Sequence, residues 1–303
     1  MKANKTHQSD SFFRGLFVFP LCYNANKPLQ KLQLCSALYA YPSIEAGMKE
    51  LKIGLNISDK GMEFFGSDEL NSYIDKGWAV KRVSPNQAFV KENPDLKTDK
   101  SESFTFTGYD MIVEIEHKEI SDHFSKASDL SKGLLQFDKA DSVNIGFNGK
   151  RKLKKAIGHY DNVIVIDPSN AGAYLLKAKC HESLEESSEA VGSLENAIQI
   201  EPYNEILYCE IGAALMKQRD FVRAVQLMEQ GVNYFPEEAR ILSNLGLSYL
   251  FTNMADKAVK VYDKLIEIEP EYELNKRFLA YSKRVLNGEL SAPQTESDIA
   301  KSI

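Results

Sequence analysis

Cysteine is scarce in this chain: four among 303 residues, at Cys22, Cys35, Cys180 and Cys209, with no CxxC pair. Such sparse, unpaired spacing excludes a disulfide framework and a zinc finger, and predicts reduced, buried thiols in a cytoplasmic protein. Cys180 and Cys209 are expected inside helices, serving as small apolar side chains. No apolar run approaches the ~18 residues of a membrane-spanning helix, so no membrane span is expected. Histidine is also rare, with His7, His117, His123, His159 and His181 only. His117 and His123 flank HKEISDH, whose spacing fits neither one helix face nor a finger. It reads as a strand end followed by a solvated helix start, and no metal is expected.

The motifs of common chemistry are missing as well. There is no GxxxxGK[ST], GxGxxG, HExxH or GxSxG. No nucleotide-binding loop, zinc protease helix or hydrolase elbow is therefore expected, and no cofactor or catalytic residue is assigned. Nothing pairs Cys22 or Cys35 with His117 as nucleophile and base. A basic excess is absent too: net charge is −6, against the requirement of a phosphate backbone for a cationic face, so no nucleic acid is expected. The one basic run, GKRKLKK at 149–155, reads as the wet face of a helix.

What is present falls into a region without repeats, a periodic region and a tail. Residues 1–120 mix strand and helix signals and are expected to form a small α+β domain. The aromatic stretch FFRGLFVFPL reads as a first buried strand; secretion through an atypical signal at 12–25 is the alternative. Residues 28–41 start a helix at Pro28, with Leu29, Leu32, Ser36 and Tyr39 at helical spacing. In SDELNSYIDKGWAVKRV, Ser67 is the expected N-cap, Asp68 and Glu69 suit the positive helix end, and Gly77 stops the helix. Trp78, Val80 and Arg82 then alternate as in a strand. Residues 103–117 read as two strands around Thr-Gly-Tyr-Asp, with Met111, Val113 and Ile115 on one face. A helix over 121–142 is expected to connect to the periodic part. From 288 to 303 the polar, small-residue composition predicts a disordered tail.

The periodic part repeats every 34 residues. IVIDP ends at Pro168, IQIEP at Pro202, VNYFP at Pro236 and IEIEP at Pro270. In phase with these prolines stand Ala156, Ala190, Ala224 and Ala258 at position 20 of each unit, and Tyr160, Leu194, Met228 and Tyr262 at position 24. Position 8 is Asn144, Ala178, Gly212 and Gly246; position 11 is Phe147, His181, Leu215 and Tyr249. Small residues at 8 and 20 let two antiparallel helices approach, and the bulky positions fill the groove beside them. The proline ends the second helix and opens the turn to the next unit. A helix pair cannot bury its own apolar face, so stacking into a superhelix follows.

This pattern resembles the tetratricopeptide repeat family. The resemblance covers about half the chain, as four repeats at 137–170, 171–204, 205–238 and 239–272. The first is degenerate, its helix A spoiled by Gly146 and Gly149 in SVNIGFNGK. Residues 273–287 read as a capping helix, with Leu274, Phe278, Tyr281 and Val285 on one face. The implied fold class is mainly α, an α-α superhelix carrying a small α+β domain.

The resemblance also implies a concave binding groove lined by helix A of each repeat, at positions 2, 5, 9, 12 and 13. Carried onto this chain it gives Leu175 and Lys179; then Ile206, Cys209, Ala213, Met216 and Lys217; then Arg240, Ser243, Leu247, Leu250 and Phe251. Gly172, Glu182 and Ser183 complete the first row. The family's Lys–Asn–Arg clamp for acidic chaperone tails would want Lys at 175 and Asn at 179 and 210; the chain has Leu175, Lys179 and Glu210. The groove so read is apolar with a few cations, and suits an extended or helical peptide of another protein with apolar anchors. The implied role is an interaction adaptor or chaperone-like scaffold. A second copy of the chain, or its own N-terminal domain, is the other candidate occupant. The other reading makes the N-terminal domain an enzyme or effector whose repeats select the target.

Overall fold

The computed structural model describes residues 47–58, 60–92, 104–135 and 145–302. They divide into two compact units between Lys126 and Ala127. The expected strand at 12–25, the helix at 28–41, and Cys22, Cys35 and His7 lie outside the described residues.

The first unit is built on an antiparallel sheet in the order β2-β1-β4-β3, with β1 Met48–Ser58, β2 Gly61–Phe65, β3 Ala79–Glu92 and β4 Phe104–Glu116. The helix α1, Ser67–Ile74, joins β2 to β3, and α2, Lys118–Ser131, follows β4. The expected pair of strands around Thr-Gly-Tyr-Asp is one continuous strand. Gly108 adopts φ 147 where the β3 pairing shifts, and a Cβ there would collide with the Leu55 carbonyl. A bulge absorbs the turn signal without breaking the strand. The helix α1 also starts differently: Gly66, at φ 77, is the N-cap and Ser67 is its first helical residue. His117 sits between β4 and α2, where its Nδ1 accepts from the Ile120 amide at 3.4 Å.

Alternation along the strands sorts the two faces. The register puts Leu51, Val113 and Ile115 on one face, where all three are buried. Trp78 is buried too, its ring 5.5 Å from Tyr73 and 5.6 Å from His117, with the Lys49 ammonium over the Tyr73 and Trp78 rings. Val83, beside Val113 on the same face, and Tyr109, Phe64 and Met62 further along it leave the apolar surface open: Phe64 is 71% exposed and Met62 69%.

The second unit is helical. After α3, Phe147–Ile166, come the pairs α4 Ala171–Ser183 with α5 Ser187–Ile200, α6 Glu205–Gln218 with α7 Phe221–Tyr234, and α8 Ala239–Phe251 with α9 Ala255–Ile268. The helix α10, Glu273–Leu286, caps the last pair and buries Phe278, Tyr281 and Val285. Each pair closes on its small residues. Ala156, Ala190, Ala224 and Ala258 have no exposed surface, and neither do Leu194, Met228 and Tyr262 beside them. Each short turn from first to second helix passes through a left-handed residue at the same place in the unit: Glu185 (φ 63), Arg219 (φ 63) and Asn253 (φ 59).

The first repeat's degenerate helix A falls mostly at 137–144, outside the described residues. The second helix of that repeat, α3, extends through Gly149 to twenty residues, leaving Phe147 83% exposed at its start. The run at 150–155 puts Lys150, Arg151, Lys152, Lys154 and Lys155 in solvent and Leu153 in the core. The tail is not loose. Gly288, at φ 77, ends α10, and Glu289 and Leu290 return their amides to the Arg284 carbonyl. A one-turn helix, α11 Glu296–Ala300, follows, opened by a capping box between Thr295 and Asp298. Ile299 on that turn is fully buried. Reciprocal capping and burial of one aliphatic side chain order a segment whose average composition is polar.

Gly246 is the sharpest test of the close approach, because a Cβ there would stand 2.8 Å from the Tyr262 ring. Gly246→Leu should destabilise the chain by roughly 1–3 kcal/mol through overpacking, despite glycine's poor helix propensity. A thermal melt at or above the wild-type midpoint would show that α8 and α9 can part without cost.

Candidate functional site

The candidate site is the row of helix A side chains on α4, α6 and α8. Side-chain caps fix where these helices begin. Asn170 accepts from the Ala173 amide, Asn204 from Ile206 and Glu238 from Arg240. Such caps satisfy the orphan amides of the first turn and set each helix's start relative to the last.

The twelve expected residues divide by depth. Leu175, Cys209, Met216, Leu247 and Leu250 are buried at 4% exposure or less, and Lys179 and Ser243 are buried at 7% and 8%. Ile206, Ala213, Arg240 and Phe251 are half-buried, and Lys217 is exposed. The deep residues tie neighbouring helices together, and the second group forms the reachable surface. Phe251 is held by a stacked Phe221 ring, centroids 4.2 Å apart and 8° from parallel. Beside this pair, at the turns of two successive repeats, lies a cavity of about 540 Å³ lined by Arg219, Val222, Val225 and Met254 among others.

Charge in the row is internally matched. The Lys179 ammonium donates to Glu182 at 2.9 Å and to Glu210 on the next repeat. Burial alone would lower the Lys179 ammonium, but the two carboxylates outweigh it and hold it above the usual lysine range. Burial pushes the Glu182 carboxyl up, Lys179 pulls it back, Glu210 pushes it up again, and the net shift is upward. One repeat on, Glu238 accepts from Arg240 Nε at 2.9 Å and stands 4.0 Å from Cys209 Sγ. Burial raises both thiols, Cys180 to about 12, so neither is a reactive thiolate.

Glu238 lies outside the five family positions and was missed, and Glu210 entered only as a clamp position without its asparagine. Lys179 and Glu182, three apart on one helix, could have signalled the first half of the cluster. The clamp positions are accounted for physically: Lys179 and Glu210, standing where that clamp uses asparagines, bond to each other. Among the described residues no group of three or more His, Cys, Asp or Glu side chains is placed to hold a metal ion. No helix among them is long and apolar enough to cross a membrane.

The helical unit is a solenoid of antiparallel helix pairs with a short capping helix. The family model for the tetratricopeptide repeat matches residues 239–272, the α8–α9 pair. No curated protein matches the chain. Among solved structures, MamA is 20% identical with a TM-score of 0.42, over 53% of this chain and 92% of its own. YrrB, described as a TPR protein with an unusual peptide-binding site, is 18% identical with a TM-score of 0.41, over 58% of this chain and 87% of its own. The first TPR of Spaghetti (RPAP3), bound to the HSP90 peptide SRMEEVD, is 19% identical with a TM-score of 0.37, over 39% and 93% of the two chains.

Lys179→Met leaves the part-buried Glu182 and Glu210 without their cation, which should cost about 1–3 kcal/mol near neutral pH. The Glu182 carboxyl would then titrate still higher in the folded chain than in the unfolded one. A carboxyl raised in this way contributes stability below its unfolded pKa and loses it as pH rises through its folded pKa. Urea melts should therefore show Lys179→Met regaining stability relative to wild type as pH falls from neutral toward the ordinary carboxyl range. A deficit independent of pH would exclude the buried-carboxylate account.

Proposed function

We propose that the protein is an interaction adaptor or chaperone-like scaffold, acting in the cytoplasm, that holds a peptide segment of a partner protein along the A-helix row. The observation that carries this reading is the pairing of a rigid floor with a reachable rim. Buried Leu175, Met216, Leu247 and Leu250 and the Lys179 cluster fix the helices, while Ile206, Ala213, Lys217, Arg240 and Phe251 keep surface on one row. Preorganised side chains of mixed character lose little entropy on binding, which suits capture of a flexible segment. The partner segment is expected to carry apolar anchors. An acidic chaperone tail is disfavoured, because Lys179 is already committed to two carboxylates.

A second reading has its own support. The open apolar sheet face of the first unit, with Met62, Phe64, Val83 and Val90 exposed, favours that unit as a second binding module or the effector. Self-association through either surface belongs with this reading.

Leu247 is too deep to serve as a probe, since a charge there would unfold the repeat. Ala213 is half-buried, so Ala213→Arg adds bulk to the row while its end reaches solvent. Affinity capture from the source cell's extract should lose its specific partner with Ala213→Arg and with Ile206→Glu, at unchanged melting temperature. Capture that persists through both substitutions would remove the row as the binding surface.

A further inference from the structure

The capping helix continues the candidate row. Counted from Glu273 as the first residue of a further unit, Tyr281 is position 9 and Arg284 position 12. These are the positions of Leu247 and Leu250 on α8, and of Ala213 and Met216 on α6. The tail returns to this same row. The Arg284 guanidinium donates to the Ser302 carbonyl at 3.4 Å. Asp298 stands close enough to Tyr281 to help hold its phenol, already raised by burial, above its ordinary range. At the other end the Arg219 guanidinium donates to the Gln294 carbonyl. Arg219 follows α6 and Arg284 lies on α10, and in a stacked solenoid α8 lies between them. A segment anchored at both spans the C-terminal half of α8, whose Leu247 and Leu250 are buried.

The anchored segment is itself built like a ligand. Pro293 and Ile299 are buried, while Gln294 and Thr295 between them are exposed. Asp298 accepts the Gln294 and Thr295 amides at 3.0 and 2.8 Å, closing the turn that presents Ile299. Both arginines take main-chain carbonyls, a mode that reads backbone shape and leaves specificity to the two buried side chains.

We infer that residues 292–302 are an internal ligand of the A-helix row. The partner segment that displaces them is of the same kind: a proline, then one helical turn opened by a Ser/Thr-x-x-Asp box and presenting an aliphatic side chain. This rests on the groove reading above and specifies its ligand. The tail then sets the affinity of the row. A competing segment tethered in the same chain lowers apparent affinity by the fraction of time the row is free.

The test uses a fluorescent peptide of residues 290–303, LSAPQTESDIAKSI, with anisotropy as readout. The chain ended after Asn287 should bind it saturably, roughly tenfold or more tighter than the full chain does, and a peptide carrying Ile299→Asp should not bind. A truncated chain that melts cooperatively yet binds no better than the full chain overturns the inference. Should truncation prevent folding, the full chain carrying Arg219→Ala and Arg284→Ala gives a second measurement. Amide exchange at Lys301 and Ser302 should then quicken roughly tenfold while α6 and α8 amides hold their rates; unchanged exchange overturns the internal ligand. A full chain of doubled solution mass beside a monomeric truncated chain also overturns it, placing the tail on a second copy. The two readings fail separately. Peptide binding by the truncated chain with partner capture indifferent to Ala213→Arg removes the partner and keeps the tail. Capture lost with Ala213→Arg, beside a truncated chain that ignores the peptide, does the reverse.

Discussion

The helical unit depends on backbones brought together at residues with little or no side chain. Ala190, Ala224 and Ala258 have no exposed surface, and Gly212, Gly231 and Gly246 each leave room that a neighbouring Met or Tyr takes. A Cβ on Gly231 would stand 2.9 Å from the Tyr208 ring, and one on Gly212 2.8 Å from the Met228 sulfur. Dispersion contacts at such spacing are individually weak and collectively large, and they vanish if the helices separate by a fraction of an ångström. The spacing therefore fixes the crossing of each pair, the crossing fixes the stacking of the units, and the stacking lines up the A-helix row.

This is why so much of the helical part was legible. Small and large residues recur at 34-residue intervals because one geometric problem is solved repeatedly, and Pro168, Pro202, Pro236 and Pro270 mark each solution's end. The sheet unit was harder to read. Gly108 carries a turn signal, yet here it serves a bulge inside β4, since pairing with β1 and β3 on both sides outweighs local preference. The tail misled for a related reason. Average composition hides a Thr295–Asp298 box and one buried Ile299, and two specific contacts outweigh a polar mean.

The candidate row shows the limit more clearly. Periodicity gave the helices and the family resemblance gave five positions on each, but depth could not be read from either. Leu250 and Phe251 are neighbours in sequence; one is wholly buried and the other half-buried. The Lys179 cluster spans two repeats, so its partner Glu210 is local in space and remote in sequence. A cluster of this kind holds two units in a particular relation, since any slip leaves the buried Lys179 ammonium short of a carboxylate.

The left-handed residues in the first-to-second helix turns carry a different consequence. Glu185, Arg219 and Asn253 share a backbone conformation but not a side-chain type. The turn is imposed by the packed helices on either side, so the side chain there is spare. A solenoid thus owns one column, along one edge, whose chemistry can be rewritten without redrawing the fold. In this chain one member of that column, Arg219, reaches the Gln294 carbonyl; an acid or an amide at the same place would leave the scaffold as it is and change what the edge can hold.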